Sequence, residues 1–425
     1  MNHSMNEKFM ASLQQATLLT RGGQLQEATA LIQRALHGVP MPETTDSASA
    51  KGEVFEGSFS VVEEPSGRSP NPSARHKAAR PDPPQATTSR KSFATTPNIS
   101  GLDELLRSKL SGLNTTVDAP APVLPEGATF SSGTFANQSG SRDYKLYVPS
   151  DYHGQSLPLI VMLHGCTQNP DDFAAGTGMN QLAEEQPCLV LYPAQHTSAN
   201  HSRCWNWFKS SDQRREEGEP AIIAGMTRQI IKEYHVDERR VYVAGLSAGG
   251  AMASTMAMTY PEIYAAVGVH SGLAHGSAQD LPSALAAMQG GTGPMAGLNQ
   301  QMKTRAITPT TSHVPAIIFH GDQDATVHPS NSDRVAAQHL AAEPTSTSKL
   351  DTQQHSGKVA NGRSYSCTVY HDASGQPILE QWSIHGAAHA WAGGSSLGSY
   401  TDPLGPDASR EMLRFFLSHP KGEGV

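Results

Sequence analysis

Apolar and polar positions change rhythm twice along the chain. Residues 5–37 place Phe9, Leu13 and Ala16, then Leu25, Ala28, Ile32 and Leu36, at helical spacing. Gly22-Gly23 interrupts that stripe, so the pattern predicts a helical hairpin over residues 1–37 that needs a second surface to dock on. Over 38–124 the periodicity disappears. Pro, Ser, Thr and Ala dominate, and a low-complexity, largely disordered linker is expected, with one short helical stretch over 102–110. From 125 to 420 the pattern is that of a folded domain. Strands are predicted at 144–148, 157–163 (LPLIVML), 188–192, 241–245, 264–269, 315–320 and 378–384. Most of these runs are apolar throughout, as in strands buried on both faces. Helices are predicted between them at 173–185, 221–234, 248–260, 332–340 and 408–417. Strands alternating with helices imply an α/β fold, a mostly parallel sheet with helices on both faces. In such sheets ligands bind beyond the carboxyl ends of the strands.

Composition narrows the chemistry. The 425 residues carry a formal net charge of −8, and the basic positions around Arg75 to Lys91 are diluted by Pro, Ser and Thr, so no nucleic-acid partner is expected. No apolar run reaches the length of a membrane span, and the N-terminus lacks the apolar core of a secretory signal, which points to a cytoplasmic protein. Four cysteines (Cys166, Cys188, Cys204, Cys367) are too few and too scattered for a disulfide scaffold or a zinc site. Cys188 and Cys367 read as buried free thiols.

Two stretches fit G-x-S-x-G, around Ser247 and around Ser396. Ser247 follows the apolar strand VYVAG and opens the helix-prone AGGAMASTMAM, whereas Ser396 lies among Gly, Ser and Tyr with no strand before it. That context marks Ser247 as a nucleophile on a tight strand-to-helix turn. A serine hydroxyl needs a base to take its proton and an acid to orient that base. Asp324, just past the strand at 315–320, is the expected acid, with Asp322 as the alternative. His389, in a small-residue loop after the strand at 378–384, is the expected base. His385, His164 and His320 read as loop supports. The tetrahedral oxyanion needs two donors, expected from the backbone N–H of Ala248 and, after LPLIVML, that of Cys166.

LHGCTQ (163–168), CWNWF (204–208), GLSAGGAMA (245–253), HGDQD (320–324) and HAWAGG (389–394), in this order and spacing, resemble the polyhydroxybutyrate depolymerase-type esterases, α/β-hydrolases related to feruloyl and acetyl-xylan esterases. The resemblance covers about residues 125–420. It implies a triad of Ser247, Asp324 and His389, oxyanion donors Cys166 and Ala248, and no metal or organic cofactor. It further implies substrate contacts from Trp205, Trp207 and Trp391, and a Cys166–Cys204 disulfide. The expected substrate is a polyester or small ester, first a short-chain polyhydroxyalkanoate or its oligomers. Feruloyl, acetyl-xylan or general short-chain esters are the alternative, and an amide substrate a more distant one. Secreted family members typically carry a signal peptide and, after the catalytic domain, a polymer-adsorbing domain. Here the additional segment is N-terminal, so amorphous granules, soluble oligomers or small esters are expected rather than crystalline polymer. The hairpin over 1–37 is then expected to dock on a granule or a protein partner, and an extracellular location is the alternative to a cytoplasmic one.

Overall fold

The computed structural model of the protein describes residues 124–291, 314–341 and 351–422. The hairpin expected over 1–37 and, but for its last residue, the linker expected over 38–124 lie outside the described residues. The domain begins with β1 (Thr129–Asn137), β2 (Gly140–Val148), β3 (Leu159–Leu163), α1 (Pro170–Thr177), α2 (Met179–Glu185) and β4 (Leu189–Pro193). Next come α3 (Gly218–Glu233), β5 (Val241–Leu246), α4 (Ala248–Thr259), β6 (Ala266–His270), α5 (Leu281–Met288), β7 (Ala316–Gly321) and α6 (Ser330–Ala341). It closes with β8 (Asp351–Lys358), β9 (Ser364–His371), β10 (Pro377–Ile384), the short pair β11 (Trp391–Ala392) and β12 (Thr401–Asp402), and α7 (Ala408–Leu417).

Ten strands form one sheet in the order β1-β2-β4-β3-β5-β6-β7-β10-β9-β8. The six central strands, β4 through β10, pair in parallel; β1, β2, β9 and β8 flank them antiparallel. Strand β3 shows why the central runs are apolar throughout. Leu159, Val161 and Leu163 pack with Ile222, Met226 and Met252 of α3 and α4, while Ile160 and Met162 pack with Phe173, Leu182 and Phe416 of α1, α2 and α7. Alternate side chains therefore enter two cores, and at about 1.5–3 kcal/mol per large buried side chain neither face tolerates a polar residue. All seven predicted strands are present. The helix predicted over 173–185 is two, because Gly178 adopts φ 64°, ends α1 and redirects the chain into α2. Three strands of the ten-stranded sheet escaped the sequence reading, as did the short pair β11 and β12: β8 has seven exposed side chains of eight, and β1 and β9 are mostly polar. Helix α5 escaped it too, although Asp280 and Ser283 form a capping box at its start. Among the described residues no helix is long and apolar enough to cross a membrane.

Candidate active site

Ser247 sits between β5 and α4 at φ 58° and ψ −118°, a conformation that costs a non-glycine residue on the order of 1–3 kcal/mol. Close packing fixes the turn. A Cβ on Gly249 would lie 2.0 Å from the Leu163 carbonyl oxygen, and one on Gly245 would lie 2.3 Å from the Gly249 carbonyl. The glycines of G-x-S-x-G are therefore places where backbones touch. The Ser247 N–H donates to His270 O (2.9 Å), and Ser247 O accepts from Ala251 N–H (2.9 Å), which locks the turn to β6 and to the helix.

The expected acid and base lie just past the ends of β7 and β10. Asp324 Oδ1 accepts the N–H groups of Thr326 (2.9 Å) and Val327 (2.8 Å), and its Oδ2 lies 2.7 Å from His389 Nδ1. Both side chains are buried. Burial opposes ionisation of Asp324, but the charge of His389 and hydrogen bonds from His320 and His389 outweigh it. The carboxyl is thereby held well below the usual carboxylate range. Asp322 instead pairs with His385, Oδ2 to Nδ1 at 3.0 Å, in a half-exposed position. Of these two Asp–His pairs, the buried one shares the rim with Ser247: Val327, whose N–H binds Asp324, lines the same pocket as Ser247. Ser247 Oγ and His389 Nε2 have no hydrogen-bond partner among the described residues. The acid–base half is assembled and the serine contact is open, as is common without substrate.

The loop over 163–168 carries Cys166, the expected second donor. Gly165 N–H is held by Gln168 Oε1 (2.9 Å), Thr167 N–H by Ser202 O (2.6 Å), and Thr167 takes φ 67°. The Cys166 and Ala248 N–H groups donate to no group among the described residues, and both residues line the pocket beside Ser247. Cys166 is joined to Cys204 by a disulfide; Cys188 and Cys367 are buried and free. Beneath that bridge Glu219, at the start of α3, accepts Asn206 N–H (2.7 Å) and Asn206 Nδ2 (2.7 Å) and pairs with Arg142. Burial and the Asp212 carboxylate push the Glu219 pKa up, against hydrogen bonds from Gln195 and Asn206 and the charge of Arg142. Nothing in the sequence singled out Glu219, which anchors CWNWF from a distance.

The loop after His389 is stitched to the same region. Ser399 donates its N–H (2.8 Å) and Oγ (2.6 Å) to Asp172, Gln168 Nε2 donates to Ser399 O (3.1 Å), and Thr167 Oγ1 meets Tyr400 OH (3.1 Å). Here the second G-x-S-x-G match finds its explanation. Ser396 is exposed, and a Cβ on Gly398 would lie 2.4 Å from the Gly176 backbone, so these glycines serve packing on α1.

The pocket beside Ser247 is small, with a cavity volume of about 40 Å³. Trp207 and Phe208 form one wall, and Leu281, Leu285 and Met288 of α5 face them; no charged side chain lines it among the described residues. Of the three indoles expected at the substrate, Trp207 lines this pocket. Trp205 and Trp391 do not. Trp205 is fully buried against His164, and Trp391 packs on His270 and Phe173 while donating to Ser409 Oγ (3.0 Å). His164 holds its loop: Nδ1 lies 2.8 Å from Gly165 O, Nε2 accepts Gln195 N–H, and burial lowers its pKa to about 4.

Residues 142–348 match the family model described as Esterase PHB depolymerase. The poly(3-hydroxyalkanoate) depolymerase C of Paucimonas lemoignei is 30% identical over 256 residues, 60% of this chain and 60% of that protein. Feruloyl esterase B of Neurospora crassa is 34% identical over 141 residues, 33% of this chain and 47% of its own. The chain thus spans 60% and 47% of the lengths of these two relatives. The acetyl xylan esterase structure from Aspergillus awamori superposes with a TM-score of 0.52 at 20% identity, covering 68% of this chain and 99% of that one, a likeness of fold. Residues 142–348 of this chain are thus similar to the esterases of the PHB depolymerase family, on a sheet with the α/β-hydrolase fold.

Proposed function

We propose that the protein is a serine ester hydrolase acting through Ser247, His389 and Asp324. The observation that carries the reading is the buried 2.7 Å contact between Asp324 and His389 at the rim where Ser247 occupies its strained turn. Ser247 Oγ attacks the ester carbonyl as His389 Nε2 takes its proton. Asp324, ionised and fixed by two backbone N–H groups, keeps the proton on Nδ1 and offsets the charge that develops on the imidazole. The unpaired N–H groups of Cys166 and Ala248 receive the oxyanion, a contribution of several kcal/mol. The alcohol departs with the proton from His389, and a water activated by the same imidazole then hydrolyses the acyl-enzyme.

An apolar, uncharged pocket suits a neutral acyl group. With the Paucimonas relative it supports a short-chain polyhydroxyalkanoate or its oligomers as substrate. The resemblance to feruloyl esterase B keeps aromatic and acetyl esters as the second reading. A serine-directed phosphonate is expected to modify Ser247 and to leave Ser247→Ala unlabelled. Turnover of 3-hydroxybutyrate oligomers is then compared with feruloyl and acetyl-xylan esters; no activity on the oligomers sinks the first substrate class.

A further inference from the structure

The triad acid has a second histidine. His320, the penultimate residue of β7 and 3% exposed, places Nε2 2.8 Å from Val327 O and 3.4 Å from Asp324 Oδ2. Val327 O accepts the hydrogen bond, so Nε2 carries the proton, and Asp324 Oδ2 lies beside it in a longer electrostatic contact. The other ring nitrogen, Nδ1, is buried without a partner, a cost that nothing nearby offsets. The ring is thus held by its Nε2 side alone, between the oxygen that faces His389 and the carbonyl of a pocket residue. His270 on β6 and His389 after β10 are the other imidazoles around the carboxylate. His270 accepts Ala392 N–H at Nε2 (3.0 Å) and meets Ser271 Oγ at Nδ1 (3.2 Å), so its ring gives Asp324 no hydrogen bond.

We propose that His320 is a positioning residue for the triad: its Nε2–H, bonded to Val327 O and 3.4 Å from Asp324 Oδ2, withholds part of the carboxylate's charge from His389 and fixes the oxygen that His389 contacts. The inference rests on the triad reading above. A donor to Oδ2 stabilises the carboxylate and weakens its pull on the imidazole proton. With that donor removed, Oδ2 has His389 as its one partner and holds the imidazole proton more tightly. The same N–H ties the 324–327 turn, so the wall of the pocket and the triad acid are set by one side chain.

Two near-isosteric variants test this. His320→Gln can place an amide N–H where Nε2–H lies, whereas His320→Asn places one nearer Nδ1. The expected outcome is that His320→Asn lowers kcat about 10- to 100-fold, the range typical of supporting hydrogen bonds around a reactive group, with KM within about threefold. Its acidic limb of kcat/KM should move up by about half a pH unit or more, and His320→Gln should restore both. The titration of the His389 ring, followed by NMR in the free protein, should move in the same direction. That measurement needs no substrate, so failure of the esterase reading (no turnover by the unaltered protein) is distinguishable from failure of this one. Equal losses in both variants with an unmoved His389 titration would show His320 to be packing alone and overturn the proposal. An unchanged kcat and titration in His320→Asn would overturn it equally.

Discussion

Opening the Cys166–Cys204 bridge should separate what the disulfide does for folding from what it does for catalysis. The bridge closes a loop with a sequence separation of 38, which by the chain-entropy relation stabilises the fold by about 4 kcal/mol at 25 °C. A domain of ordinary stability, about 5–15 kcal/mol, survives that loss but melts earlier. The loop ends also keep other ties, Thr167 N–H to Ser202 O at 2.6 Å and Gln195 Nε2 to Cys204 O at 2.9 Å. Catalysis has less margin if, as proposed, the N–H of Cys166, whose side chain is bridged, receives the oxyanion. Removal of one such donor costs about 10²–10³ in kcat, and partial misplacement should cost about 10- to 100-fold. The assay is hydrolysis of a chromogenic short-chain ester beside urea unfolding, for the oxidised protein, the reduced protein and Cys204→Ala. Reduction is verified by the mass of the alkylated thiols. Expected are a lower urea midpoint and a kcat loss that persists well below the midpoint. If fully reduced, fully folded protein keeps its kcat, the bridge does not position the donor and the reasoning fails.

Three further outcomes follow from the geometry. Asp324→Asn should lower kcat on the order of 10⁴-fold through the wrong imidazole tautomer, whereas Asp322→Asn, in the half-exposed pair with His385, should stay within a few-fold; similar losses from both would contradict the assignment. Leu285→Trp on the α5 wall should cut kcat/KM for butyrate and hexanoate esters by about tenfold more than for acetate, since one or two lost methylene contacts are worth about 1–3 kcal/mol; a uniform loss would move the acyl group elsewhere. Burial lowers the pKa of His164 and of His275 to about 4, below the ordinary histidine value of about 6.5. Between those values the unfolded chain binds protons that the native chain refuses, so stability falls as pH drops from about 6.5 to 4, by up to about 1.4 kcal/mol per pH unit for each histidine. Urea midpoints measured across that window should show the decline, and a flat profile would count against the burial of His164 and the partial burial of His275.

What could be read in advance followed from local physics. LPLIVML announces a strand between two cores because five successive buried side chains leave no alternation to misread. β8, with the sequence DTQQHSGK, carries no such mark: it is held by backbone pairing to β9 and presents its side chains to water. Ser247 was separable from Ser396 because a strand and a helix flank it, and these can be recognised locally. The indoles were not separable. Trp205, Trp207 and Trp391 look alike in sequence, and which one lines a cavity depends on α5 and on the disulfide across from it, contacts made only after folding. Glu219 was invisible for the same reason, since its partners Gln195, Asn206 and Arg142 converge on it from separate segments.

The ties between Ser399 and the pair Gln168 and Asp172 span 231 and 227 residues of chain, and they fasten the segment that follows His389 to the segment that carries Cys166. The two segments should accordingly open as one cooperative unit, with the Gly165 and Ser399 amides exchanging with solvent at a common rate. Anyone transplanting or reshaping one of these segments to alter selectivity will have to carry the other with it.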